Sequence, residues 1–188
     1  KIYNYSNNGY IILGILIERV TNQTFELYAR NYLFNKLKLE NSHYKINQPK
    51  VYKNYKESND IKTDGIFLPS VGLITSVSDL DKLIMLFLKK DRKVIKSIAT
   101  EFSKVGIYEN DTRLPWRNEK DWFTYYAGSL NSQSIIMFNL KHNIGITVVH
   151  NSFSEDYVNT LTSKIIESLD LKDEINNNEI NNTIIDNY

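Results

Sequence analysis

The side chains that most often carry chemistry are few in this sequence, and their spacing excludes several kinds of site. His43, His142 and His150 are scattered without the short spacings typical of metal ligands, and the acidic residues are dispersed. A glycine-rich phosphate loop of the GxxxxGK type does not occur. Cysteine is absent, which excludes thiolate catalysis and cysteine-ligated metals. We therefore expect neither a metal nor a cofactor.

One polar run stands out because it precedes a strongly apolar segment. The run Tyr5-Ser6-Asn7-Asn8-Gly9-Tyr10 leads directly into the residues from Gly9 to Val20, which are apolar on almost every side until Glu18 and Arg19. This pattern predicts a helix that is buried on most of its surface. Either Asn7 or Asn8 is expected to cap its start.

Three further segments are predicted before the last third of the chain. Phe25 to Leu37 has apolar residues at helical spacing and Thr24 as its cap, so it should form a helical hairpin with the first helix. The polar, aperiodic stretch from Glu40 to Pro69 predicts a long surface excursion. Ser78 precedes a helix that has acidic residues in its first turn and lysines in its last.

The last third changes character from helical to β-rich. Residues 105–151 contain β-branched and aromatic runs that are separated by short polar turns, which predicts an antiparallel meander. Phe138 to Ile144 is expected to form a hairpin turn, and Glu155 to Leu169 a final helix. The predicted fold class is therefore α+β, an antiparallel sheet with flanking helices.

Together these blocks resemble the serine β-lactamase and penicillin-binding-protein superfamily, in particular its class C β-lactamase-like branch. The second motif of that family is Tyr-x-Asn at the head of a buried helix, and Tyr5 to Asn7 matches it. The segment from Ser70 to Leu80 looks like the family's glycine-containing strand that turns into a capped helix. The segment from Gly128 to Asn151 looks like its final hairpin.

The resemblance implies catalytic roles for Tyr5 and Asn7. In the family, a serine in Ser-x-x-Lys attacks a carbonyl, and it needs a base because a free hydroxyl is a poor nucleophile. Neighbouring lysines would lower the pKa of the motif tyrosine, so that Tyr5 would take and return the proton. Asn7 would hold the lysine and the substrate amide oxygen by hydrogen bonds.

The family's third motif, Lys/His-Thr-Gly on a strand, aligns with Tyr126-Ala127-Gly128. Both the cation and the threonine hydroxyl are missing from this run. Gly128 still permits close backbone approach, and the N–H of Ser129 is the counterpart of the family's oxyanion-hole donor. The alternative interpretation is that Tyr125 and Tyr126 are ordinary strand residues that pack on two faces of the sheet.

The family's nucleophile motif is not found where it is expected. The one literal Ser-x-x-Lys, Ser42 to Lys45, follows the Tyr-x-Asn motif instead of preceding it and lies in the aperiodic excursion, so we interpret it as chance. The family serine would come before Lys1. We therefore expect residues 1–170 to form a single β-lactamase-like domain that is incomplete at its N-terminus, followed by an Asn-rich tail at 171–188.

The expected function is the C-terminal part of a serine hydrolase that acts on an amide or ester of the β-lactam or D-alanyl peptide class, inactive as this chain alone. The alternative is a non-catalytic pseudoenzyme or decayed fragment that binds a peptidoglycan-like peptide or a partner. A net charge of +1 without a basic block argues against nucleic acid, and the apolar runs are too short for a membrane span. The resemblance alone favours an extracytoplasmic location, and the sequence does not set an oligomeric state.

Overall fold

The computed structural model describes residues 5–44, 51–53, 56–58, 65–89, 112–113, 116–119, 121–129, 132–153 and 157–171. These residues form two compact units. The helical unit contains the described residues of Asn4–Lys50 and Asn59–Leu83, and the sheet unit contains those of Val51–Ser58 and Ile84–Tyr188. Each unit has a cluster of buried apolar side chains of its own.

The helical unit begins with the hairpin that the sequence predicts. α1 spans Asn7–Thr21, and α2 spans Phe25–Ala29 with Thr24 as its cap, as expected. A π-helical turn, Arg30–Phe34, continues α2 into α3, Asn35–Leu37. The remaining elements are a 3-10 turn at Gly65–Phe67, α4 at Leu68–Val71 and α5 at Val77–Leu88, of which the last five residues belong to the sheet unit.

α1 packs against α4 along one narrow face. Gly14 is its buried residue, and a Cβ built on Gly14 would lie 2.1 Å from the Cγ of Pro69, so the two helices approach too closely for any side chain there. The opposite face is exposed and carries Ile12, Leu13, Leu16 and Val20. The prediction of a helix buried on most of its surface is therefore wrong, because a single packed layer covers only one side of an all-round apolar helix.

Three local predictions are also corrected. α1 is capped by Ser6, not by Asn7 or Asn8: its backbone is extended and its hydroxyl accepts from Gly9 N–H at 3.1 Å. At α5 the capping hydroxyl is Ser76, which accepts from Asp79 N–H, while Ser78 lies inside the first turn. The stretch from Glu40 to Pro69 is not a plain excursion, because it contains a short hairpin and the start of α4.

The sheet unit is built on a five-stranded antiparallel sheet in the order β3-β4-β5-β6-β7, as the meander predicts. Its strands are β3 Thr112–Arg113, β4 Trp116–Glu119, β5 Trp122–Ser129, β6 Ser132–Asn139 and β7 Ile144–His150. A separate sheet joins β1 Val51–Lys53, β2 Lys56–Ser58 and β8 Ser152–Phe153. The final helix, α6, spans Tyr157–Ser168.

The predicted hairpin turn between β6 and β7 is confirmed. Asn139 accepts hydrogen bonds from the backbone N–H groups of Lys141 and His142, both at 2.9 Å, and Asn143 adopts a left-handed conformation with φ 55. An asparagine that accepts backbone donors two and three residues ahead stabilises a tight turn. The register then pairs Asn139 with Ile144.

Alternate residues of β5, β6 and β7 face α6 and form the main core. This core contains Trp122, Ile135, Met137, Ile146 and Val148 from the strands, with Val158 and Ile166 from α6. The opposite face carries an aromatic cluster in which Phe138 stacks on Phe87 and Phe123 and meets Trp116 edge-on. The architecture is α+β, an antiparallel sheet with flanking helices.

Some predictions fall on residues that the structure does not describe. They are the β-rich residues 105–111, the first residues of the predicted last helix and, apart from Leu171, the Asn-rich tail. The single-domain boundary at residue 170 stays a prediction. Among the described residues, no helix has both the length and the apolar character needed to cross a membrane.

Candidate active site

Tyr5 and Asn7 meet at the first turn of α1. The Tyr5 hydroxyl donates a hydrogen bond to Asn7 Oδ1 at 2.9 Å, and the Tyr5 side chain is 44% exposed. Asn7 is also exposed, so both polar groups are open to solvent. A phenol that donates its proton to an amide oxygen can still accept a hydrogen bond on its own oxygen.

Two different side chains at the start of α1 accept hydrogen bonds, Ser6 from the backbone and Asn7 from Tyr5. Because Ser6 satisfies Gly9 N–H, the Asn7 amide is left to accept from Tyr5. At the other end of the helix, Glu18 Oε1 accepts from Phe25 N–H at 2.8 Å and so caps the start of α2. Thr24 assists by accepting from Leu27 N–H. Side chains therefore cap the start of α1 and the start of α2.

The predicted substrate-binding run lies at the end of β5. The register pairs Tyr126 with Ile135, Ala127 with Ser134, Gly128 with Gln133 and Ser129 with Ser132. Ala127 and Gly128 are exposed to solvent.

The two tyrosines of this strand pack on opposite faces of the sheet. Tyr126 packs against the core beneath α6. Tyr125 meets Trp116 edge-on on the other face, with ring centroids 6.1 Å apart. This arrangement agrees with the alternative interpretation, in which Tyr125 and Tyr126 are ordinary strand residues that pack on two faces of the sheet. A substrate-binding role for Tyr126, Ala127, Gly128 and Ser129 stays a prediction.

Ser42 is held in a buried network that sequence reasoning missed. Its hydroxyl donates to Asp79 Oδ2 at 2.9 Å and lies 2.8 Å from Thr75 Oγ1. Because a serine has one proton, Thr75 must donate to Ser42. The Ser42 side chain is buried, and its proton is already committed to a carboxylate, which is the geometry of a structural serine. Lys45, the other end of the Ser-x-x-Lys pattern, lies outside the described residues.

Asp79 is the centre of this network. It is fully buried, and its carboxylate also accepts from Asn41 N–H at 2.7 Å and from Lys82 Nζ at 3.0 Å. Burial alone would raise the pKa of Asp79, but hydrogen bonds from Lys82, Ser42 and Asn41 outweigh it, so the pKa lies below its ordinary value. Lys82 Nζ donates to Lys38 O as well. The network ties the segment after α3 to the start of α5.

The sequence contained a weak signal for this network. That signal is the acidic Asp79 in the first turn of α5. It is weak because the helix dipole alone is enough to favour an acidic residue at that position. The long-range partners Asn41 and Ser42 have no pattern that links them to it. Within the described ranges, no group of three or more histidine or acidic side chains is arranged to hold a metal ion.

The structure therefore brings Tyr5 and Asn7 together within the helical unit. The run Tyr126–Ser129 belongs to the sheet unit.

Comparison with known proteins identifies a family that the sequence of this chain matches. A family model described as "Beta-lactamase" matches residues 1–168. "Protein flp" of Staphylococcus aureus strain MW2 is 28% identical over 184 residues, which cover 89% of this chain and 36% of that protein. The same protein of strain MRSA252 is 29% identical over the same shares. The chain thus spans about a third of the length of the curated relatives it matches.

Solved structures show the same fold at low sequence identity. A structure titled "A class C beta-lactamase" superimposes with a TM-score of 0.73 at 17% identity, covering 88% of this chain and 57% of that one. An octameric penicillin-binding protein homologue from Pyrococcus abyssi gives a TM-score of 0.69 at 16% identity, and the match covers 90% of this chain and 43% of that one. A β-lactamase/D-alanine carboxypeptidase from Pseudomonas syringae gives a TM-score of 0.64 at 16% identity, and the match covers 87% of this chain and 59% of that one.

Proposed function

This chain belongs to the β-lactamase family, and on that premise we propose that it is part of a serine hydrolase that cleaves an amide or ester bond of the β-lactam or D-alanyl peptide class. Tyr5 and Asn7 are its acid/base and positioning residues. The nucleophilic serine comes from a Ser-x-x-Lys outside this chain. The chain by itself is inactive.

The observation that carries the proposal is the hydrogen bond between Tyr5 and Asn7 at the capped start of α1. Tyr5 acts as the phenolate, the form that the family's lysines favour: as the serine oxygen bonds to the substrate carbonyl carbon, the serine hydroxyl gives its proton to the Tyr5 oxygen. Tyr5 then returns a proton to the leaving amine or alkoxide. Asn7 holds the protonated tyrosine through Oδ1, as in the structure, and its amide N–H can hold the phenolate, so the distance for proton transfer stays short in both directions.

The oxyanion contribution belongs to the end of β5. Gly128 has no Cβ to keep a substrate away from the strand, and the Ser129 that follows it is the counterpart of the family's oxyanion donor. Because Tyr126 stands where the family has a cation, we propose neutral esters or amides in preference to anionic β-lactams.

A second candidate is a pseudoenzyme that binds a peptidoglycan-like peptide without cleaving it. The specific observation in its favour is that Tyr126 packs against the core beneath α6 and that the run lacks both the cation and the threonine hydroxyl. In this case the exposed backbone at Ala127 and Gly128 would still pair with an extended peptide, but the serine would be missing.

The test compares hydrolysis of a chromogenic β-lactam and a short-chain chromogenic ester by this chain and by the same chain joined to the serine-bearing part of a β-lactamase-family relative. We expect background rates from the chain alone and turnover from the joined protein. Tyr5→Phe in the joined protein should lower turnover by about 100-fold or more, the usual contribution of a positioned acid/base. Stability should change by only about 1 kcal/mol.

Tyr32→Phe is the matched control, because Tyr32 is also exposed on the helical hairpin and stacks on Tyr28 instead of entering the motif. It should leave turnover unchanged. If Tyr5→Phe behaved like this control while the serine remained essential, Tyr5 would be a packing residue only. An acyl adduct on Ser42 of the chain alone, detected by mass spectrometry, would also overturn the proposal.

A further inference from the structure

The first turn of α1 contains a chemically reactive pair, Asn8-Gly9, which is the one asparagine–glycine pair in the sequence. In such a pair the backbone nitrogen of the glycine can attack the side-chain Cγ of the asparagine, because glycine has no Cβ to obstruct the approach. The attack closes a succinimide ring and releases ammonia. Asn8 is exposed to solvent, so water has access to the ring and can open it.

This reaction balances with water as its co-reactant. The Gly9 nitrogen gives up its proton as it bonds to Asn8 Cγ, and the side-chain nitrogen takes up a proton and leaves as ammonia. Water then cleaves one of the two carbonyl–nitrogen bonds of the ring. Cleavage at Cγ leaves an ordinary aspartate, whereas cleavage at the main-chain carbonyl leaves isoaspartate, in which the main chain runs through Cγ.

Two features of the folded chain oppose the attack. Asn8 is helical, and the helical ψ of about −42° is far from the value that a planar ring requires. The Gly9 N–H donates to Ser6 Oγ at 3.1 Å, which holds the attacking nitrogen in the turn and shields its proton from water. The reaction therefore requires the first turn of α1 to open. Because helix ends open at low cost, this protection is partial.

We propose that Asn8 is a site of spontaneous deamidation and that the Ser6 cap controls its rate. An aspartate product is tolerated, because a negative charge in the first turn of a helix is favoured by the helix dipole. An isoaspartate product lengthens the main chain between Ser6 and Gly9 and so breaks the capping hydrogen bond. Tyr5 and Asn7 then lose their fixed position on α1. The modification needs no serine nucleophile, so it is independent of the proposed hydrolysis.

Three variants separate the cap from the reactive pair. Ser6→Ala removes the accepting hydroxyl and should speed ammonia loss about fivefold, since a serine cap shifts the helix equilibrium by about that factor. Ser6→Asp keeps a capping oxygen and should react at the wild-type rate. Gly9→Ala keeps the cap but places a methyl group beside the attacking nitrogen, so it should slow the loss about tenfold or more. A Cβ added at Gly9 meets nothing closer than Ser6 Oγ at 3.7 Å, so the fold accommodates it.

Peptide mapping by mass spectrometry follows Asn8 in the full chain at mildly alkaline pH, where the Gly9 nitrogen loses its proton more readily. The folded chain should react about tenfold more slowly than the same chain unfolded in urea. Electron-transfer fragmentation distinguishes isoaspartate from aspartate. In the isoaspartate form, amide hydrogen exchange in residues 9–12 should be about tenfold faster or more than in the unmodified chain.

Several results would overturn the proposal. Asn8 that stays intact in the folded chain after the urea-unfolded chain has reacted would show that it is not a modification site. Equal rates in the folded and unfolded chains, or in Ser6→Ala and Ser6→Asp, would show that the cap does not control the reaction. A Gly9→Ala chain that reacts as fast as wild type would exclude attack by the Gly9 nitrogen. Unchanged exchange in residues 9–12 of the isoaspartate form would contradict the loss of the capping bond.

Discussion

The local chemistry of the Tyr-x-Asn motif depends on which residue caps α1. A capping asparagine directs its side-chain oxygen to a backbone N–H two or three residues ahead. If Asn7 did this, its oxygen would not be available to Tyr5. With Ser6 as the cap, Asn7 is already helical and its amide accepts from the tyrosine hydroxyl. A serine between the two motif residues is therefore part of the reason that they meet.

The lowered pKa of Asp79 predicts how the stability of the folded chain depends on pH. Its pKa in the folded chain lies below its ordinary value of 3.8, so the folded state binds fewer protons than the unfolded state near that pH. Its contribution to stability is complete above about pH 5 and is lost as the pH falls through 3.8 and then through the lowered folded pKa. Asp79→Asn should lower the free energy of unfolding by about 1 to 3 kcal/mol at pH 7 and by much less near pH 3.

Urea unfolding at the two pH values measures this difference. Asp81→Asn is the control, since Asp81 is exposed on the same turn of α5 and should change stability by less than about 0.5 kcal/mol at either pH. A gap between wild type and Asp79→Asn that is equally large at pH 3 would mean that the carboxylate charge does not stabilise the network.

At the scale of elements, the sequence predicted local order better than contacts between segments. The antiparallel strands from Trp122 to His150, their hairpin turn and the helical hairpin follow from residue periodicity and turn residues that are close in sequence. The capping of α5, the hydrogen bonds between Ser42 and Asp79 and the short β1–β2 hairpin do not. These features depend on partners far along the chain or on strands of three residues, for which one sequence contains no periodic signal.

The same distinction applies to the exposed side of α1. Its apolar residues occur on every face, so periodicity could not show which face packs on α4. The structure assigns that face through Gly14, a residue whose lack of a side chain is itself the packing determinant. Tyr5 and Asn7 could be proposed as site residues from a motif and its helix, whereas the structural network around Asp79 required the fold.

The contact between Gly14 and Pro69 gives a prediction with an internal control on the same helix. Gly14→Ala would place a methyl group 2.1 Å from Pro69 Cγ, so α1 must move away from α4. Overpacking of this kind costs about 1 to 3 kcal/mol. Gly9→Ala, whose added Cβ meets nothing closer than Ser6 Oγ at 3.7 Å, should be neutral or stabilise by about 0.5 kcal/mol.

Thermal unfolding followed by circular dichroism distinguishes the two variants. Gly14→Ala should unfold at a lower temperature than wild type and Gly9→Ala should not. Equal midpoints for both would show that α1 and α4 do not depend on the close approach.

At the scale of the whole molecule, part of the matched structure is enough to define the fold, but a hydrolase site needs more than that part. The matched class C structure is covered only in part, and that part is enough to recognise the sheet and its helices. A hydrolase site needs in addition a nucleophile, and the serine of the one literal Ser-x-x-Lys, Ser42, is buried and hydrogen-bonded to Asp79. The fold is therefore shown for this chain, whereas hydrolysis is proposed only for a protein that also supplies the serine.

The exposed face of α1 leads to a prediction about the chain in solution. Ile12, Leu13, Leu16 and Val20 form one apolar stripe, and each side chain is more than half exposed. A contiguous stripe of this kind binds hydrophobic dyes, because their aromatic rings lose unfavourable contact with water there. The chain should therefore raise the fluorescence of anilinonaphthalene sulfonate in its folded state. Leu13→Gln with Leu16→Gln should remove most of that increase while the helix persists, since glutamine is a good helix former.

Ile17→Gln provides the comparison that decides what the dye reports. Ile17 is partly buried, so this variant should destabilise the helical unit and leave the stripe intact. If the dye bound only a loosened core, Ile17→Gln would raise fluorescence and the double variant would not lower it. If the stripe is the binding surface, the double variant loses the signal at unchanged helical content, measured by circular dichroism on the same samples.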